Sequence, residues 1–486
     1  MNRLIAITLA ALLAGACSGN IKTNDDAEDD VITDTTVDAT DVSGEGACTP
    51  GEGEECLDDG DTLRRCNSDG SGFELVACPV GCVSDPDPHC TEWSISNIPD
   101  MDMLFSGEAR EEHWAGPAID IPGDHWIGFN TENGRISIYV AEPTPWEVAV
   151  EVRDAVFGLD AATGIAFEFQ TQPDGASRMG VFSFQKFDIP ANFTIGVVGP
   201  YPLVIMSEED SVIEGGVKAS CIWDVGPTYA DAGDSGEEDG AGAQGTGSGA
   251  DYGGGGGGGY GGTGGAGSGV GSLGGAGGTT YGTSELIPLH GGAGGGYSGG
   301  PEGDAARGSR GGRSGGAVEI VSGGTLTIAA TGWVDASGCG GFPSYDGTNP
   351  FGGGGGGSGG SILLEAPIVE IQGNLSVNGG AGAAGGYLGD TDAEEWSMYG
   401  DRGNAGSDTA AGGGTSTGAD NCNGGDGNGG GGDTGSGAPD CSTAFGGGGG
   451  GGCGRIRING QSVSITGTLS PAETSDAVTQ GPLVLP

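Results

Sequence analysis

The chain repeats one pattern three times: a run of glycines, then a serine or cysteine, then two short strand-like segments. The copies span residues 311–338, 355–380 and 450–472, and a degenerate copy without the leading glycines spans 204–220. Units of this length cannot bury their own apolar faces and are stable only when stacked on one another. The repeats therefore predict a stacked architecture, and they say little about chemistry.

Apolar residues occupy alternate positions around one central glycine in each copy. These central glycines are Gly215, Gly332, Gly373 and Gly467. A spacing of two places side chains on one face of a β-strand, and a glycine between two strands suits a tight corner. We therefore expect each copy to form a strand, a corner and a second strand, and the body from 201 to 486 to be a β-solenoid.

Glycine supplies 112 of the 486 residues, and pure glycine runs lie at 253–259, 352–357 and 446–452. Ordering a residue costs about 1–2 kcal/mol, and glycine has no side chain to bury in return. Two alternatives follow: the runs stay disordered, or they align as extended threefold helices that bond through their backbones. Five aromatic residues beside the runs are candidates to pack against such a bundle: Tyr252, Tyr260, Tyr297, Phe351 and Phe445.

The N-terminus has the features of an export signal. Arg3 precedes the predominantly apolar segment 4–13, which is too short to span a bilayer. The segment 13–17 (LAGAC) resembles a bacterial lipobox, which predicts a signal over 1–17 and acylation of Cys17. Ordinary cleavage after Ala16 is the alternative. Residues 18–47 are predicted to be a disordered tether, because 24–47 is polar, acidic and free of basic residues.

Six cysteines lie within residues 48–90, and they are Cys48, Cys56, Cys66, Cys78, Cys82 and Cys90. A dense, even set of cysteines in an exported chain predicts a small module held by disulfides. Six cysteines allow 15 pairings, and the sequence does not choose among them. Cys422 and Cys441 flank one Gly/Asp-rich segment and form a further candidate pair.

Residues 91–200 have an ordinary composition and are predicted to be a β-rich domain or the first coils of the solenoid. Four segments alternate or cluster in the manner of strands, at 135–140, 147–152, 165–170 and 193–198. No segment has the sustained period of an amphipathic helix. The predicted fold class is therefore all-β: a disulfide-rich module, then a β-solenoid body with long glycine-rich inserts.

The repeated strand phrases resemble the right-handed β-helix of filamentous-haemagglutinin-type exoproteins over residues 204–472. The inserts are similar to the polyglycine-II bundles in the glycine-rich region of certain receptor tyrosine kinases and in some phage adhesin tips. Signal, tether, cysteine module and glycine-rich body together resemble the glycine-rich surface lipoproteins of myxobacteria-like bacteria. That resemblance implies a location on the outer membrane and this order of segments, and it implies no catalytic residues.

The chain is strongly acidic, with 67 Asp and Glu against 16 Lys and Arg and a formal net charge of −51. Nucleic acids reward clustered Lys and Arg, so no nucleic-acid partner is expected. The expected partners are a membrane, reached through a lipid on Cys17, and extracellular polysaccharide or another cell surface.

Glycine-rich matches to catalytic motifs are accidental in this chain. G-x-S-x-G occurs at 312–316 and 356–360, but its serines precede strands and no histidine follows His290, which excludes the α/β-hydrolase arrangement. The four histidines are scattered and form no metal-binding pattern. Residues 424–433 resemble a calcium-binding repeat without its period, so the predicted cofactor is none, with only a weak indication of calcium.

Enzymes that cleave polysaccharides on a β-helix use clustered carboxylates with Arg or Lys on one face. Six charged residues of the repeats occupy alternate strand positions: Glu319, Asp335, Glu365, Glu370, Arg455 and Arg457. This spacing predicts a solvated outer face. We therefore expect a non-enzymatic, lipid-anchored, surface-exposed protein of the outer membrane with a structural or adhesive role. The alternatives are a secreted protein and a carbohydrate-active β-helix enzyme, a lyase or hydrolase of extracellular glycans.

Overall fold

In this computed structural model, the described residues are 48–49, 53–98 without 59, 79 and 86, 125–140, 147–220 without 173–175, 242, 247–248, 251–299 without 271–272, 308–343, 351–386, 400–401, 403, 423–427, 434–439 and 445–484. They belong to two compact units, one formed by Met1–Glu52 with Cys66–Glu74 and the other by Gly53–Arg65 with Leu75–Pro486. The predicted signal, tether and Cys17, and the pair Cys422 and Cys441, lie outside the described residues.

Short antiparallel strands and disulfides form the cysteine-rich segment. The strands are β1 (Gly53–Cys56), β2 (Thr62–Cys66), β3 (Phe73–Ala77), β4 (Cys82–Val83) and β5 (His89–Cys90). The smaller unit contains the disulfide Cys48–Cys66, and the larger unit contains Cys56–Cys82 and Cys78–Cys90. Of the 15 pairings that the sequence allows, the structure thus has one.

The second stretch of strands covers residues 125–198. They are β6 (His125–Asn130), β7 (Ile136–Val140), β8 (Glu147–Arg153), β9 (Gly158–Leu159), β10 (Ala166–Gln170), β11 (Met179–Phe184), β12 (Phe187–Ile189) and β13 (Phe193–Val198). The four strands expected in this region are β7, β8, β10 and β13. Strands β6, β9, β11 and β12 were not predicted from the sequence.

The glycine-rich body continues with fifteen strands among the described residues. They are β14 (Leu203–Ser207), β15 (Ser211–Ile213), β16 (Gly216–Lys218), β17 (Gly247–Ser248), β18 (Asp251–Tyr252), β19 (Ala317–Ser322), β20 (Thr325–Ile328), β21 (Trp333–Asp335), β22 (Ser361–Glu365), β23 (Ile368–Ile371), β24 (Asn374–Ser376), β25 (Arg455–Asn459), β26 (Ser462–Ile465), β27 (Thr468–Ser470) and β28 (Val478–Gly481). The described residues contain no helix, so the all-β prediction is confirmed for them.

Three large sheets run through the body, and they are mostly parallel. The first sheet has the order β28-β25-β22-β19-β14-β11-β10-β9, the second β12-β15-β20-β23-β26, and the third β27-β24-β21-β16-β13-β6-β7-β8. Each repeat supplies one strand to each sheet in turn, beginning with β14-β15-β16. Strands from residues 125–198 lie in the same sheets as those of the repeats, because β11 pairs with β14 and β13 with β16.

The predicted glycine corners are present. Gly215, Gly332, Gly373 and Gly467 each stand between a strand of the second sheet and a strand of the third. A Cβ on Gly467 would overlap the carbonyl oxygen of Gly373, the corner glycine of the previous repeat. Glycine is therefore required here because the backbones of successive corners stack in contact.

The apolar side chains at alternate positions form one continuous core between the sheets. Ile213, Ile328 and Ile371 of the second sheet belong to it, as do Val334 and Leu375 of the third. Identical positions of successive repeats stack in register, since Ile213 pairs with Ile328 and Ile328 with Ile371. Each buried aliphatic side chain of this kind contributes about 1.5–3 kcal/mol.

A buried arginine organises the antiparallel end of the sheets. Arg153 of β8 is 1% exposed, and its guanidinium donates to five backbone carbonyl oxygens. The acceptors are the carbonyl oxygens of Gly134 (2.5 Å), Gly158 (3.0 Å), Val156 (3.1 Å), Asp154 (3.2 Å) and Ile165 (3.2 Å). One side chain thus holds the turn before β7 to the segment around β9.

The long glycine-rich inserts all occupy the same place in the strand order. Each follows a strand of the third sheet and precedes a strand of the first: β16 to β19, β21 to β22, and β24 to β25. Because successive repeats stack in register, this position brings the three glycine runs 253–259, 352–357 and 446–452 next to one another.

The three glycine runs are joined by backbone hydrogen bonds at every third residue. Gly255 and Gly258 donate to Gly353 and Gly356; Gly353 and Gly356 donate to Gly446 and Gly449; Gly449 and Gly452 donate back to Gly255 and Gly258. These bonds measure 2.8–3.0 Å between nitrogen and oxygen. Each contributes a net of only about 0.5–1.5 kcal/mol, so the order of the runs depends on many bonds formed together. The glycine runs are therefore ordered and bonded through their backbones, and the alternative that they are disordered does not apply.

Close approach on every side explains why these runs contain only glycine. Along 253–259, a Cβ would meet three different neighbouring backbones in turn, with a period of three residues. On Gly255 it would overlap the carbonyl oxygen of Gly296. At Gly294, by contrast, the nearest atom to a Cβ would be the carbonyl oxygen of Gly312, 3.6 Å away. A side chain is therefore excluded from the runs and tolerated at selected places beside them.

Candidate functional site

Strands β11, β14, β19 and β22 of the first sheet are buried on both faces. In β14, Leu203 and Ile205 belong to the core between the sheets, whereas Val204 and Met206 belong to a second apolar cluster on the outer face. Successive side chains of a strand point to opposite faces, so the same alternation continues in β19 and β22. It places Glu319 and Glu365 on the outer face, beside the second cluster.

Two segments from elsewhere in the chain cover this outer face. Trp93, Ile95 and Ile98 pack in the second cluster from one segment, and Leu286 and Leu289 pack in it from another. Between these segments, the side-chain nitrogen of Asn97 donates to the carbonyl oxygen of Leu286 over 3.1 Å. The outer face is thus a second, smaller core.

The expectation of a solvated charged face is wrong for Glu319, Glu365 and Asp335. Glu319 and Glu365 are 0% exposed and Asp335 is 3% exposed. The two glutamates are buried because residues 93–98 and 286–289 lie over them, which strand periodicity cannot predict. Glu370, Arg455 and Arg457 keep partial exposure.

Glu319 and Glu365 form a buried carboxyl pair on neighbouring parallel strands. Glu319 is opposite Leu363, and Glu365 is opposite Val321, two residue pairs further along on the same face. Asn97 Nδ2 donates to Glu319 Oε2 over 3.2 Å, while no donor of the described residues reaches Glu319 Oε1. The Glu319 and Glu365 carboxyls lie close enough to interact electrostatically.

Burial is the main cause that raises the pKa of Glu319 well above its ordinary value of 4.5. The negative charge of Glu365 and the hydrogen bond to it raise this pKa further, and the bond from Asn97 acts in the opposite direction. Burial thus favours the protonated form of Glu319.

Glu365 accepts three hydrogen bonds from two residues. The peptide nitrogen of Ser96 donates to Oε2 over 3.0 Å, and Ser96 Oγ donates to Oε1 over 2.5 Å. Asn459 Nδ2 donates to the same Oε1 over 2.8 Å, because Asn459 is opposite Glu365 in the parallel register of β22 and β25. Asn459 Oδ1 in turn accepts a bond of 2.6 Å from Arg457 Nε.

This site contains an acid, a carboxylate base, a hydroxyl and a polarised amide in mutual contact. Such a set can transfer protons and support attack of a hydroxyl on a carbonyl carbon. The carboxyls have no exposed surface, so the groups in their reach are those of the chain itself. Glu319, Glu365 and Arg457 were candidates from the sequence, whereas Ser96, Asn97 and Asn459 were not. No sequence signal connects residues so far apart.

The aromatic residues beside the glycine runs divide into three groups. Tyr252, Tyr260 and Phe351 are buried, as expected of packing residues, and Phe445 is partly exposed. Tyr297 is 45% exposed, so its assignment as a packing residue is wrong. Burial raises the pKa of Tyr260 to about 12. The hydrogen bond with Ser361, whose Oγ lies 2.8 Å from the Tyr260 hydroxyl, acts on this pKa in the opposite direction.

The other predicted features are placed as follows. Both G-x-S-x-G segments end one residue before a strand, β19 and β22, so no helix follows either serine. Cys339 and Cys453 are buried thiols. The calcium-like segment 424–433 is described only as far as residue 427, and in the described part of the chain no three His, Cys, Asp or Glu side chains are grouped to hold a metal ion.

Fold and site together define an all-β protein with large parallel sheets, disulfides near the N-terminus and a buried carboxyl pair. Comparison of the chain with protein-family models, with curated proteins and with solved structures finds no match. Within the described ranges, no helix has the length and apolar character needed to cross a membrane.

Proposed function

We propose that this chain is a non-enzymatic, lipid-anchored protein of the bacterial cell surface with a structural or adhesive role. The observation that carries the proposal is the ring of hydrogen bonds among the runs 253–259, 352–357 and 446–452. It gives order to segments that have no side chains and no reactive groups. A body built in this way offers rigidity and a large acidic surface, which are properties useful to a surface protein.

The fold under this proposal is a β-solenoid with a polyglycine-II-like bundle beside it. Four repeats each give one strand to every sheet in the same order, which is the arrangement of successive solenoid coils. Each insert leaves the strands at the same position of its coil, and the hydrogen bonds between the glycine runs recur at every third residue. Three residues per turn is the repeat of the polyproline II conformation, which supports the polyglycine-II interpretation.

The buried carboxyl pair supports a non-enzymatic role over the alternative of a polysaccharide lyase or hydrolase. Both carboxyls have no exposed surface, and a polymeric substrate must reach the groups that cleave it. The test is incubation of the whole protein with a panel of extracellular polysaccharides, followed by measurement of new chain ends. We expect none, and release of chain ends that is lost in Glu365→Gln would establish the enzyme.

The lipid anchor is tested by metabolic labelling with a fatty acid in a bacterial host. The wild-type chain is expected to be labelled, and Cys17→Ser is the matched variant that loses the label. Exposure to protease on intact cells then tests surface location. A wild-type chain without label, recovered from the medium, would establish a secreted protein.

A further inference from the structure

Four side chains from three distant parts of the chain converge beside the carboxyl pair: Ser96, Glu365, Arg457 and Asn459. Glu365 Oε1 contacts both Ser96 Oγ, at 2.5 Å, and Asn459 Nδ2, at 2.8 Å. Ser96 Oγ itself lies 3.2 Å from Asn459 Nδ2, which is one bond away from the amide carbon. A hydroxyl, a carboxylate oxygen and a primary amide thus meet in pairwise contact.

The hydrogen-bond contacts of the four groups match the roles that acyl transfer needs. Glu365 Oε1 can take the proton of the Ser96 hydroxyl and deliver a proton to the amide nitrogen, because one oxygen contacts both. Arg457 Nε donates to Asn459 Oδ1 over 2.6 Å, where negative charge develops when a nucleophile attacks the carbon. The second bond to Glu365, from the Ser96 peptide nitrogen at 3.0 Å, fixes the direction of the serine.

We propose that the chain forms an internal ester bond between Ser96 Oγ and the side-chain carbonyl carbon of Asn459, with release of ammonia. Ser96 Oγ attacks the amide carbon, and its proton passes to Glu365 Oε1. The tetrahedral intermediate collapses when Glu365 returns that proton to Nδ2, the C–N bond breaks and ammonia leaves. Glu365 ends as it began, so the reaction needs no other reactant.

The surroundings favour this reaction over hydrolysis of the amide. Asn459 is 3% exposed and Glu365 is 0% exposed, so water competes poorly for the amide carbon. Two groups held in contact by a folded chain react as if each were present at a very high concentration. Ser96 keeps partial exposure, and ammonia released beside it is lost to the solvent. Asn97, bonded to Leu286 and Glu319, keeps the adjacent residue in place.

The ester would tie the segment that covers the first sheet to β25, a strand of the last full repeat. Ser96 and Asn459 are separated by 363 positions, and the repeats lie between them. A covalent bond here would close the chain between the two residues into one loop that persists after every non-covalent contact is lost. Such a tie suits a body that must resist force or proteolysis.

Mass spectrometry of the purified full chain tests the proposal. We expect the intact mass to be lower than the sequence mass of the same mature chain by one ammonia molecule, after allowance for disulfides. A digest should contain one branched peptide that joins Ser96 to Asn459, and hydroxylamine, which cleaves esters, should separate it into two. Unlinked peptides of unchanged mass from the folded wild-type chain would overturn the proposal, as would conversion of Asn459 to aspartate.

Variants separate the roles of the residues. Ser96→Ala is expected to abolish the branched peptide, and Glu365→Gln to abolish or greatly slow its formation. Ser94→Ala is the matched control, because this serine lies two positions away and its peptide nitrogen bonds to Val484; it should retain the link. A branched peptide that persists in Ser96→Ala would exclude Ser96 as the nucleophile. The wild-type digest needs no variant, so the test stands even if a variant fails to fold.

Discussion

The peptide nitrogen of Gly255 donates a hydrogen bond of 3.0 Å to the carbonyl oxygen of Gly353, which belongs to a different repeat. The bond exists because both runs leave the sheets at the same position of successive repeats. Neither run has a side chain that could hold it elsewhere. The glycine runs are therefore ordered because the stacked sheets bring them together. They should lose this order when their backbones are pushed apart.

A single methyl group tests this packing. Gly255→Ala is expected to destabilise the protein by about 1–3 kcal/mol, since the Cβ overlaps the carbonyl oxygen of Gly296 and the neighbouring chain must move. Gly294→Ala is the control, because its Cβ would have a nearest neighbour at 3.6 Å; its effect should stay within about 1 kcal/mol. Urea unfolding midpoints measure both. Equal midpoints would contradict close packing of the runs.

The contribution of Glu319 to the stability of the protein should fall as the pH rises above 4.5. Burial raises the folded-state pKa of Glu319 above its ordinary value of 4.5. A carboxyl of this kind stabilises fully below its unfolded pKa, and the contribution is lost as the pH rises through the folded pKa. Glu319→Gln should remove this part of the pH dependence, and the exposed Glu132→Gln should leave it. Unfolding midpoints across the pH range decide the matter; identical profiles for wild type and Glu319→Gln would refute it.

Substitution of the buried Arg153 should destabilise the protein far more than substitution of a surface arginine. Arg153→Lys keeps the charge but leaves some of five carbonyl oxygens without a donor, at about 1–3 kcal/mol for each buried group. Arg135→Lys is the comparison, because Arg135 bonds Glu151 at the surface over 3.2 Å and such pairs contribute about 0–1 kcal/mol. Thermal unfolding of both variants measures the difference in stability. No difference is expected if the hydrogen bonds of Arg153 do not stabilise the fold.

Peptide mapping without reduction should recover three disulfides: Cys48–Cys66, Cys56–Cys82 and Cys78–Cys90. Replacing the pair Cys56 and Cys82 by serines should lower the stability of the cysteine-rich segment by about 2–4 kcal/mol. Limited proteolysis followed by mapping detects this as earlier cleavage within residues 53–90. Recovery of any other pairing would show that this segment is joined differently.

Much of the scaffold could be predicted from local patterns. The corner glycines Gly215, Gly332, Gly373 and Gly467 follow from the two-residue spacing around them, and strands β7, β8, β10 and β13 follow from their alternation. Such features depend on neighbours in sequence. Strand β11 (MGVFSF) is buried on both faces and lacks alternation, which is why it was missed.

The site was predictable only in part. Glu319 and Glu365 could be assigned to one face of their strands, but the assignment of that face to solvent was wrong. Its cover comes from residues 93–98 and 286–289, and no periodicity in β19 or β22 encodes the arrival of another segment. Ser96 and Asn459 carry no motif, and only the parallel register of β22 and β25 and the path of the N-terminal segment bring them together.

The repeat, the all-β class and the positions of the corners follow from the amino-acid sequence, because they depend on backbone freedom and on side-chain alternation over a few residues. The order of the glycine runs and the burial of the carboxyl pair arise in the folded protein. Both depend on contacts between residues that stacking brings together, and the free energy of such contacts belongs to the assembled body and not to any segment of it.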